Sequence, residues 1–236
     1  MTDLTEPKAI TIENWPFKVY IPERSAGRIK KVLLLLHGHL GDENVMWIFT
    51  KQLPKDIVML APRAPVQLGP GQYSWHAIEP KWPALKTTYA GLAADLLGRV
   101  DQWTSQNGLS VPRYDVMGFS QGAVMSYALS FLHPERIGKV AALAGFIPRT
   151  WQTELGDISL ADQSYFISNG TEDEVVPVEK AHQTVAWLKE KGAQVTYCEG
   201  HTGHKLSASC FKDLGAYFRS PSADQSNHDQ EDPQRA

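Results

Sequence analysis

The chain has few cysteines, no long apolar run and little net charge. Its 236 residues contain only Cys198 and Cys210, which form no CxxC pair. Two cysteines are too few for a disulfide framework, so we expect two reduced thiols and a cytoplasmic protein.

No segment has the features of a membrane span or a secretion signal. The longest apolar run, 32–36, is far too short to cross a bilayer. The first residues, MTDLTEPKAI, contain acids and a proline where a secretory signal has a basic start and an apolar core. We therefore expect a soluble protein that does not insert into membranes.

The formal net charge of −3 comes entirely from the last sixteen residues. Residues 221–236 contain four acids and one base, whereas residues 1–220 are formally neutral. A neutral body lacks the basic footprint of a nucleic-acid-binding protein and predicts no need for a strongly charged substrate. Because 221–236 has no large apolar residue, we expect one domain over 1–220 followed by an acidic, disordered tail.

Short apolar runs alternate with longer helical patterns along the body. Strands are predicted at 17–21, 31–36, 57–61, 114–118, 140–144, 165–168 and 194–198, and helices at 43–52, 87–107, 121–132, 178–191 and 206–219. This alternation predicts an α/β fold with a mostly parallel central sheet and helices on both faces. Residues 62–83 contain too many Pro and Gly residues for regular structure. Fewer than two dozen residues separate Gly145 from the predicted strand at 165–168, which leaves no room for a large cap domain.

The pattern G-x-S-x-G occurs at 118–122, between a predicted strand and a predicted helix. In a nucleophile elbow, a serine on such a strained turn projects from the carboxyl edge of the sheet. Ser120 is therefore the candidate nucleophile, and the main-chain N–H of Gln121 at the helix start is a candidate oxyanion donor. The alternative is a serine that caps a helix between turn glycines.

A second oxyanion donor is expected in the loop after the buried strand 31–36. Gly38 allows the backbone to turn there, so the main-chain N–H of His39 is the candidate. A plain glycine turn is the alternative. One such donor is typically worth about 3–4 kcal/mol in the transition state.

A serine nucleophile requires a base, and the base requires an acid that fixes its tautomer. Three acids, Glu172, Asp173 and Glu174, follow a predicted strand downstream of the elbow, and the spacing favours Asp173. A solvated, acidic helix start is the alternative. Two histidines follow the last strand, and His204, directly before the terminal helix, is preferred over His201 as the base.

Together these segments resemble the phospholipase/carboxylesterase family of α/β-hydrolases, which includes acyl-protein thioesterases and small bacterial carboxylesterases. The resemblance covers nearly the whole body and is carried by LLLLHGHLGDE (33–43), GFSQGAVMS (118–126), NGTEDEVVPV (169–178) and YCEGHTGHKLS (197–207). It implies an α/β-hydrolase fold, a triad of Ser120, Asp173 and His204, and no cofactor or metal. Two departures are Leu40, where members often have a second glycine, and the additional His201.

The expected reaction is hydrolysis of a small acyl ester through an acyl-enzyme, although the same triad also serves acyl thioesterases and lysophospholipases. Leu40, Tyr73 and Trp75 are candidate substrate-binding residues, with Leu68 and Trp82 in the same aromatic loop; aromatic packing under that loop is the alternative. Two other classes stay open. One is a metallohydrolase that uses His37, His39, His201 and His204, and the other is a non-catalytic binding protein with a hydrolase fold.

Overall fold

The computed structural model describes residues 6–22, 31–77 and 83–220. The expected disordered tail at 221–236 and Trp82 of the aromatic loop lie outside these residues. Ten strands are present in the described chain: β1 (Lys8–Ile12), β2 (Trp15–Tyr20), β3 (Val32–Leu36), β4 (Val58–Pro62), β5 (Val66–Gly69), β6 (Gln72–Ser74), β7 (Tyr114–Phe119), β8 (Ile137–Leu143), β9 (Ser164–Gly170) and β10 (Gln194–Gly200).

Eight of these strands form one sheet in the order β1-β2-β4-β3-β7-β8-β9-β10. The six strands β4, β3, β7, β8, β9 and β10 are parallel to one another. At the other edge, β2 pairs antiparallel with both β4 and β1. The carboxyl ends of the parallel strands therefore meet at one edge of the sheet, where α/β enzymes bind ligands. Strands β5 and β6 form a separate antiparallel hairpin.

Helices cover both faces of the sheet. They are α1 (Leu85–Gln106), α2 (Gln121–Leu132), α3 (Arg149–Leu155), α4 (Val178–Glu190), α5 (Ala208–Arg219) and a 3₁₀ helix (Val45–Gln52). One apolar cluster contains side chains of α1, α2 and α4, and the other contains side chains of the 3₁₀ helix and α5. The predicted α/β class with helices on both faces is confirmed.

Strand β3 shows why the centre of the sheet is apolar throughout. Leu34 and Leu36 pack in the first cluster, whereas Leu33 and Leu35 pack in the second. Successive strand residues face opposite sides of a sheet, so a strand covered on both faces must be apolar at every position. Each of these fully buried leucines contributes about 2 kcal/mol through burial.

Two local predictions are wrong, and two further elements have no counterpart in the prediction. The segment 62–83 contains the β5–β6 hairpin, which turns through Gly71 at a φ of 69°; the turn residues were interpreted as irregular chain. Strand β1 and helix α3 are not among the predicted elements, because β1 is a mostly exposed edge strand and α3 has only seven residues. Residues 45–52 form a 3₁₀ helix, whose period of three places Met46 and Phe49 inside and Val45 and Ile48 outside.

The two cysteines are not free thiols. Cys198 in β10 and Cys210 in α5 form a disulfide, with their Cα atoms 5.7 Å apart. The expectation of two reduced thiols is wrong because the chain between them turns back on itself. Disulfides are rare in cytosolic proteins, so the two cysteines do not support the expected cytoplasmic setting. Within the described ranges, no helix combines the length and apolar character needed to cross a bilayer.

Candidate active site

Ser120 stands between the end of β7 and the start of α2, in the middle of the sheet. Its backbone has a φ of 54° and a ψ of −116°, a conformation that non-glycine residues rarely adopt and that costs on the order of 1–3 kcal/mol. The turn is held by its own main chain, since Ser120 N–H donates to Leu143 O at 2.8 Å and Ser120 O accepts from Ala123 N at 2.9 Å.

The second glycine of the motif allows α2 to approach the sheet. A Cβ atom on Gly122 would lie 2.0 Å from the carbonyl oxygen of Leu36 in β3. No side chain fits at that distance, so helix α2 can begin directly behind Ser120 only with glycine at this position. The predicted elbow context, a strand before the serine and a helix after it, is present.

Asp173 and His204 form a hydrogen-bonded pair at the same edge of the sheet. His204 Nδ1 lies 2.8 Å from Asp173 Oδ2, and the aspartate side chain is fully buried. The other oxygen, Oδ1, accepts from the main-chain N–H groups of Val175 and Val176 at 2.9 and 2.8 Å. These bonds fix the carboxylate and direct one oxygen at the imidazole.

The other candidate acids and the other candidate base do not take part in this pair. His201 is exposed, and its imidazole contacts Glu172 at 3.3 Å and the Thr171 hydroxyl at 3.3 Å. Glu174 is also exposed. Of the candidate acids and bases, the structure therefore brings together Asp173 and His204.

The acid loop and the base loop are joined by their main chains. Thr171 N–H donates to Gly200 O at 2.9 Å, and Glu172 N–H donates to Thr202 O at 3.0 Å. The loops approach so closely that a Cβ atom on Gly170 would lie 2.0 Å from Thr202 O. The Asp173–His204 distance is thus set by the end of the sheet, where β9 and β10 pair.

Ser120 and His204 are related through Phe119. The His204 imidazole packs on the Phe119 ring with a centroid separation of 4.9 Å, and Phe119 directly precedes Ser120. Among the described residues, no hydrogen bond links the Ser120 hydroxyl to His204. Catalytic hydrogen bonds are often long in ligand-free structures and tighten only when substrate is bound. Sequence reasoning did not single out Phe119, although an aromatic residue at the end of the central strand is a recognisable signal.

The loop after β3 forms the turn expected for a second oxyanion donor. Gly41 N–H donates to Gly38 O at 3.1 Å, which closes the turn, and Leu40 has a φ of 63°. His39 is exposed on this turn. Within the described chain, neither His39 N–H nor Gln121 N–H has an acceptor, so both main-chain donors are available to a ligand.

The three candidate substrate-binding residues differ in exposure. Leu40 is 45% exposed and lies next to His39, whereas Tyr73 is partly buried, with the Arg63 guanidinium 4.7 Å from its ring centroid. Trp75 is only 1% exposed, and its indole N–H donates to His37 O at 2.7 Å. The ring of Trp75 cannot line a substrate pocket from this position; the alternative of aromatic packing under the loop describes it.

The histidines of the metallohydrolase alternative form no metal-binding group among the described residues. His37 is fully buried, its Nε2 accepts from Ala64 N–H at 2.8 Å and its Nδ1 lies 2.8 Å from Gly38 O. Because its Nε2 accepts a hydrogen bond, this ring is neutral, and burial also lowers the pKa of His37. In the part of the chain that the structure describes, no three His, Cys, Asp or Glu side chains are placed to hold a metal ion.

A model of the protein family described as Phospholipase/Carboxylesterase matches residues 21–219 of this chain. Two curated relatives are named Acyl-protein thioesterase 1. The one from Yarrowia lipolytica is 25% identical over 173 residues, which cover 67% of this chain and 75% of the relative. The one from Eremothecium gossypii is 25% identical over 221 residues, which cover 84% and 92%.

Solved structures share the fold at lower identity. The Bacillus cereus carboxylesterase has a TM-score of 0.75 at 19% identity, with 87% of this chain and 94% of that one covered. The carboxylesterase from Mesorhizobium loti has a TM-score of 0.73 at 19% identity, with 90% and 99% covered. These similarities confirm the predicted α/β-hydrolase fold.

Proposed function

Since this chain belongs to the phospholipase/carboxylesterase family, a family of ester-bond hydrolases, we propose that it cleaves carboxylic acyl esters with Ser120 as nucleophile. The observation that carries the proposal is the 2.8 Å contact between His204 Nδ1 and Asp173 Oδ2. The same imidazole packs on Phe119, the residue that directly precedes Ser120. A buried carboxylate bonded to a histidine, at the same edge of the sheet as a strained serine, is the arrangement that acyl transfer requires.

In this mechanism the Asp173 carboxylate determines which ring nitrogen of His204 carries the proton. Because its Oδ2 accepts from Nδ1–H of His204, the Nε2 of that ring is left as a proton acceptor. His204 takes the Ser120 proton as the oxygen attacks the acyl carbon, and Asp173 stabilises the resulting imidazolium. His204 then protonates the leaving alcohol, and a water molecule hydrolyses the acyl-enzyme by the same route.

Two main-chain donors stabilise the tetrahedral intermediate in this mechanism. Gln121 N–H is at the first position of α2, where helix N–H groups have no partner within the helix. His39 N–H comes from the Gly38–Gly41 turn. Both belong to the backbone, so they are fixed before the negative charge develops and need no reorganisation.

An acyl thioester is the second candidate substrate, because the two curated relatives are named Acyl-protein thioesterase 1. The proposed chemistry is the same apart from the leaving group, which is a thiol. A comparison of kcat/KM for an ester and a thioester with the same acyl chain distinguishes the two, and a series of chain lengths identifies the preferred acyl group.

The test of the nucleophile combines labelling and turnover. Purified protein should react with a fluorophosphonate probe at Ser120 and hydrolyse a p-nitrophenyl acyl ester, while Ser120→Ala should lose the label and about 10⁶ of kcat. Ser126→Ala is the matched control, since Ser126 is a buried serine of α2, the helix that follows Ser120. Its hydroxyl donates to Gly122 O at 2.9 Å. Wild-type turnover in Ser120→Ala would overturn the proposal.

A further inference from the structure

The β5–β6 hairpin contacts both of the turns that carry the oxyanion donors. On the side of the Gly38–Gly41 turn, Tyr73 in β6 makes two main-chain hydrogen bonds. Its carbonyl accepts from Leu40 N–H at 2.9 Å, and its N–H donates to Gly41 O at 3.1 Å. These bonds form an isolated antiparallel bridge, so the turn next to His39 is paired with the hairpin as a strand would be.

On the side of the elbow, the contact is made by the Gln121 side chain. Its Oε1 accepts from Trp75 N–H at 3.0 Å, and its Nε2 donates to the Ser74 hydroxyl at 2.8 Å. The Ser74 hydroxyl has one proton, and the nearest acceptor is His76 O at 2.6 Å, so it donates there and accepts from Gln121. Both polar ends of the amide therefore have a partner, which fixes its orientation.

Trp75 also links the two turns directly. Its main-chain N–H bonds to Gln121, while its indole N–H bonds to the carbonyl of His37, the residue before Gly38. Because the ring is 1% exposed, these bonds are shielded from water and have little freedom to rearrange. The residue expected to bind substrate thus connects the two loops instead.

We propose that the segment 73–75, which we call the brace, holds the two oxyanion donors at a fixed separation. Gln121 is the positioning residue, because its side chain bonds the elbow to this segment. This inference rests on the proposed function. The donors of Gln121 and His39 come from loops after two different strands, β7 and β3. Stabilisation of an oxyanion requires both N–H groups at about 2.7–3.1 Å from one oxygen position, so a brace that fixes their separation acts on the transition state.

The decisive variant is Gln121→Met, which keeps the main-chain donor and the side-chain length but removes both polar atoms. The donor is displaced and not deleted, so we expect a fall in kcat of about 10- to 100-fold, below the ~10²- to 10³-fold typical of a lost donor. KM should stay within about twofold of wild type, because the ground-state carbonyl makes weaker use of the hole.

An inhibitor supplies the second measurement. A trifluoromethyl ketone adds reversibly to Ser120, with the serine oxygen bonded to the carbonyl carbon, the proton on His204 and the new oxyanion in the hole. Its Ki should rise in Gln121→Met by about the factor by which kcat/KM falls. Ser74→Ala, which removes one of the two partners of the amide, should show the same pattern with a smaller change.

Active-site titration and the Ser126→Ala control separate this role from a general loss of folding. All kcat values are taken per titrated serine, so a partly unfolded preparation does not imitate the effect. The brace is overturned if Gln121→Met retains kcat and Ki within twofold of wild type, or if Ser126→Ala loses as much. In both cases a labelled, active wild type and an inactive Ser120→Ala leave the proposed function intact, whereas an unlabelled wild type overturns both.

Discussion

The imidazole of His204 rests on the ring of Phe119, with the two centroids 4.9 Å apart and the ring planes inclined by 53°. Phe119 is the last residue of the central strand β7 and immediately precedes Ser120. The base loop and the elbow come from distant parts of the sequence, and this aromatic contact is a direct link between them.

Replacement of Phe119 should therefore affect catalysis more than folding. An aromatic pair of this kind is worth about 0.5–1.5 kcal/mol, so Phe119→Leu should lower kcat up to about tenfold by loosening the imidazole. Phe49→Leu is the control, because Phe49 stacks on Phe119 with the ring centroids 5.4 Å apart. Among the described residues, no ring contact joins Phe49 to His204. Both kcat and the melting temperature are measured for each variant. Equal kcat losses in the two variants would contradict a specific role for the His204 contact.

Asp173→Asn should preserve the fold and abolish most of the activity. The asparagine Oδ1 can still accept from Val175 and Val176, but its amide then donates toward His204 and favours the tautomer with the proton on Nε2. We expect a kcat loss of about 10⁴, as expected when a triad histidine has the wrong tautomer. Glu172→Gln removes the neighbouring charge and should keep near wild-type kcat; a similar loss in that variant would assign the effect to charge alone.

The disulfide should stabilise the terminal helix and the loop that contains His204. Cys198 and Cys210 are separated by 12 residues in sequence, and closing a loop of this size constrains the unfolded chain by about 3 kcal/mol. The double variant Cys198→Ser/Cys210→Ser should lose about that much unfolding free energy in urea denaturation. Wild-type protein treated with a reducing agent should match the variant, while an unchanged variant would show that the bond does not contribute to stability.

Tyr165 should contribute to a loss of stability at high pH. Burial raises the pKa of Tyr165 above its usual value of 10.0, with a smaller opposing effect from its hydrogen bond to Ser130. Above pH 10 the unfolded state loses this proton while the folded state keeps it, so stability falls as the pH rises, by about 1.4 kcal/mol per unit for one tyrosine.

Tyr165→Phe tests this dependence, because it removes the hydroxyl and keeps the buried ring. The unfolding free energy of the variant should fall less steeply between pH 10 and 11 than that of wild type. The difference in slope should equal the contribution of one ionising tyrosine. Tyr89, Tyr127 and Tyr217, whose pKa values are also raised by burial, are present in both proteins. The difference between the two curves therefore reports Tyr165 together with its electrostatic effect on Tyr127 and Tyr217. Parallel curves would show that Tyr165 ionises in the folded protein.

Sequence patterns predicted the elements around the site because those elements obey strong local rules. The strand at 114–118 and the helix at 121–132 are mostly apolar and continuous, and the structure has Tyr114–Phe119 and Gln121–Leu132. The pairing of Asp173 with His204 followed from the order of the motifs on this fold. In each case the residues needed for the prediction are close in sequence or fixed by strand order.

The missed features depend on contacts between distant segments. Trp75 is buried because the hairpin folds back over the elbow. No local pattern distinguishes such a buried tryptophan from one that is exposed to substrate. The disulfide required knowledge that α5 returns to β10. The side chain of Gln121 was overlooked for the same reason, since its partners Ser74 and Trp75 lie 47 and 46 residues earlier.

The unusual backbone of Ser120, with a φ of 54°, connects turnover to the integrity of the whole domain. An isolated segment would relax from that conformation, so only the assembled sheet and helix α2 maintain it. A partly unfolded species could keep much of its secondary structure and still have no competent nucleophile. Enzyme velocity in increasing urea would therefore report the population of native molecules, and its midpoint should coincide with that of tertiary unfolding.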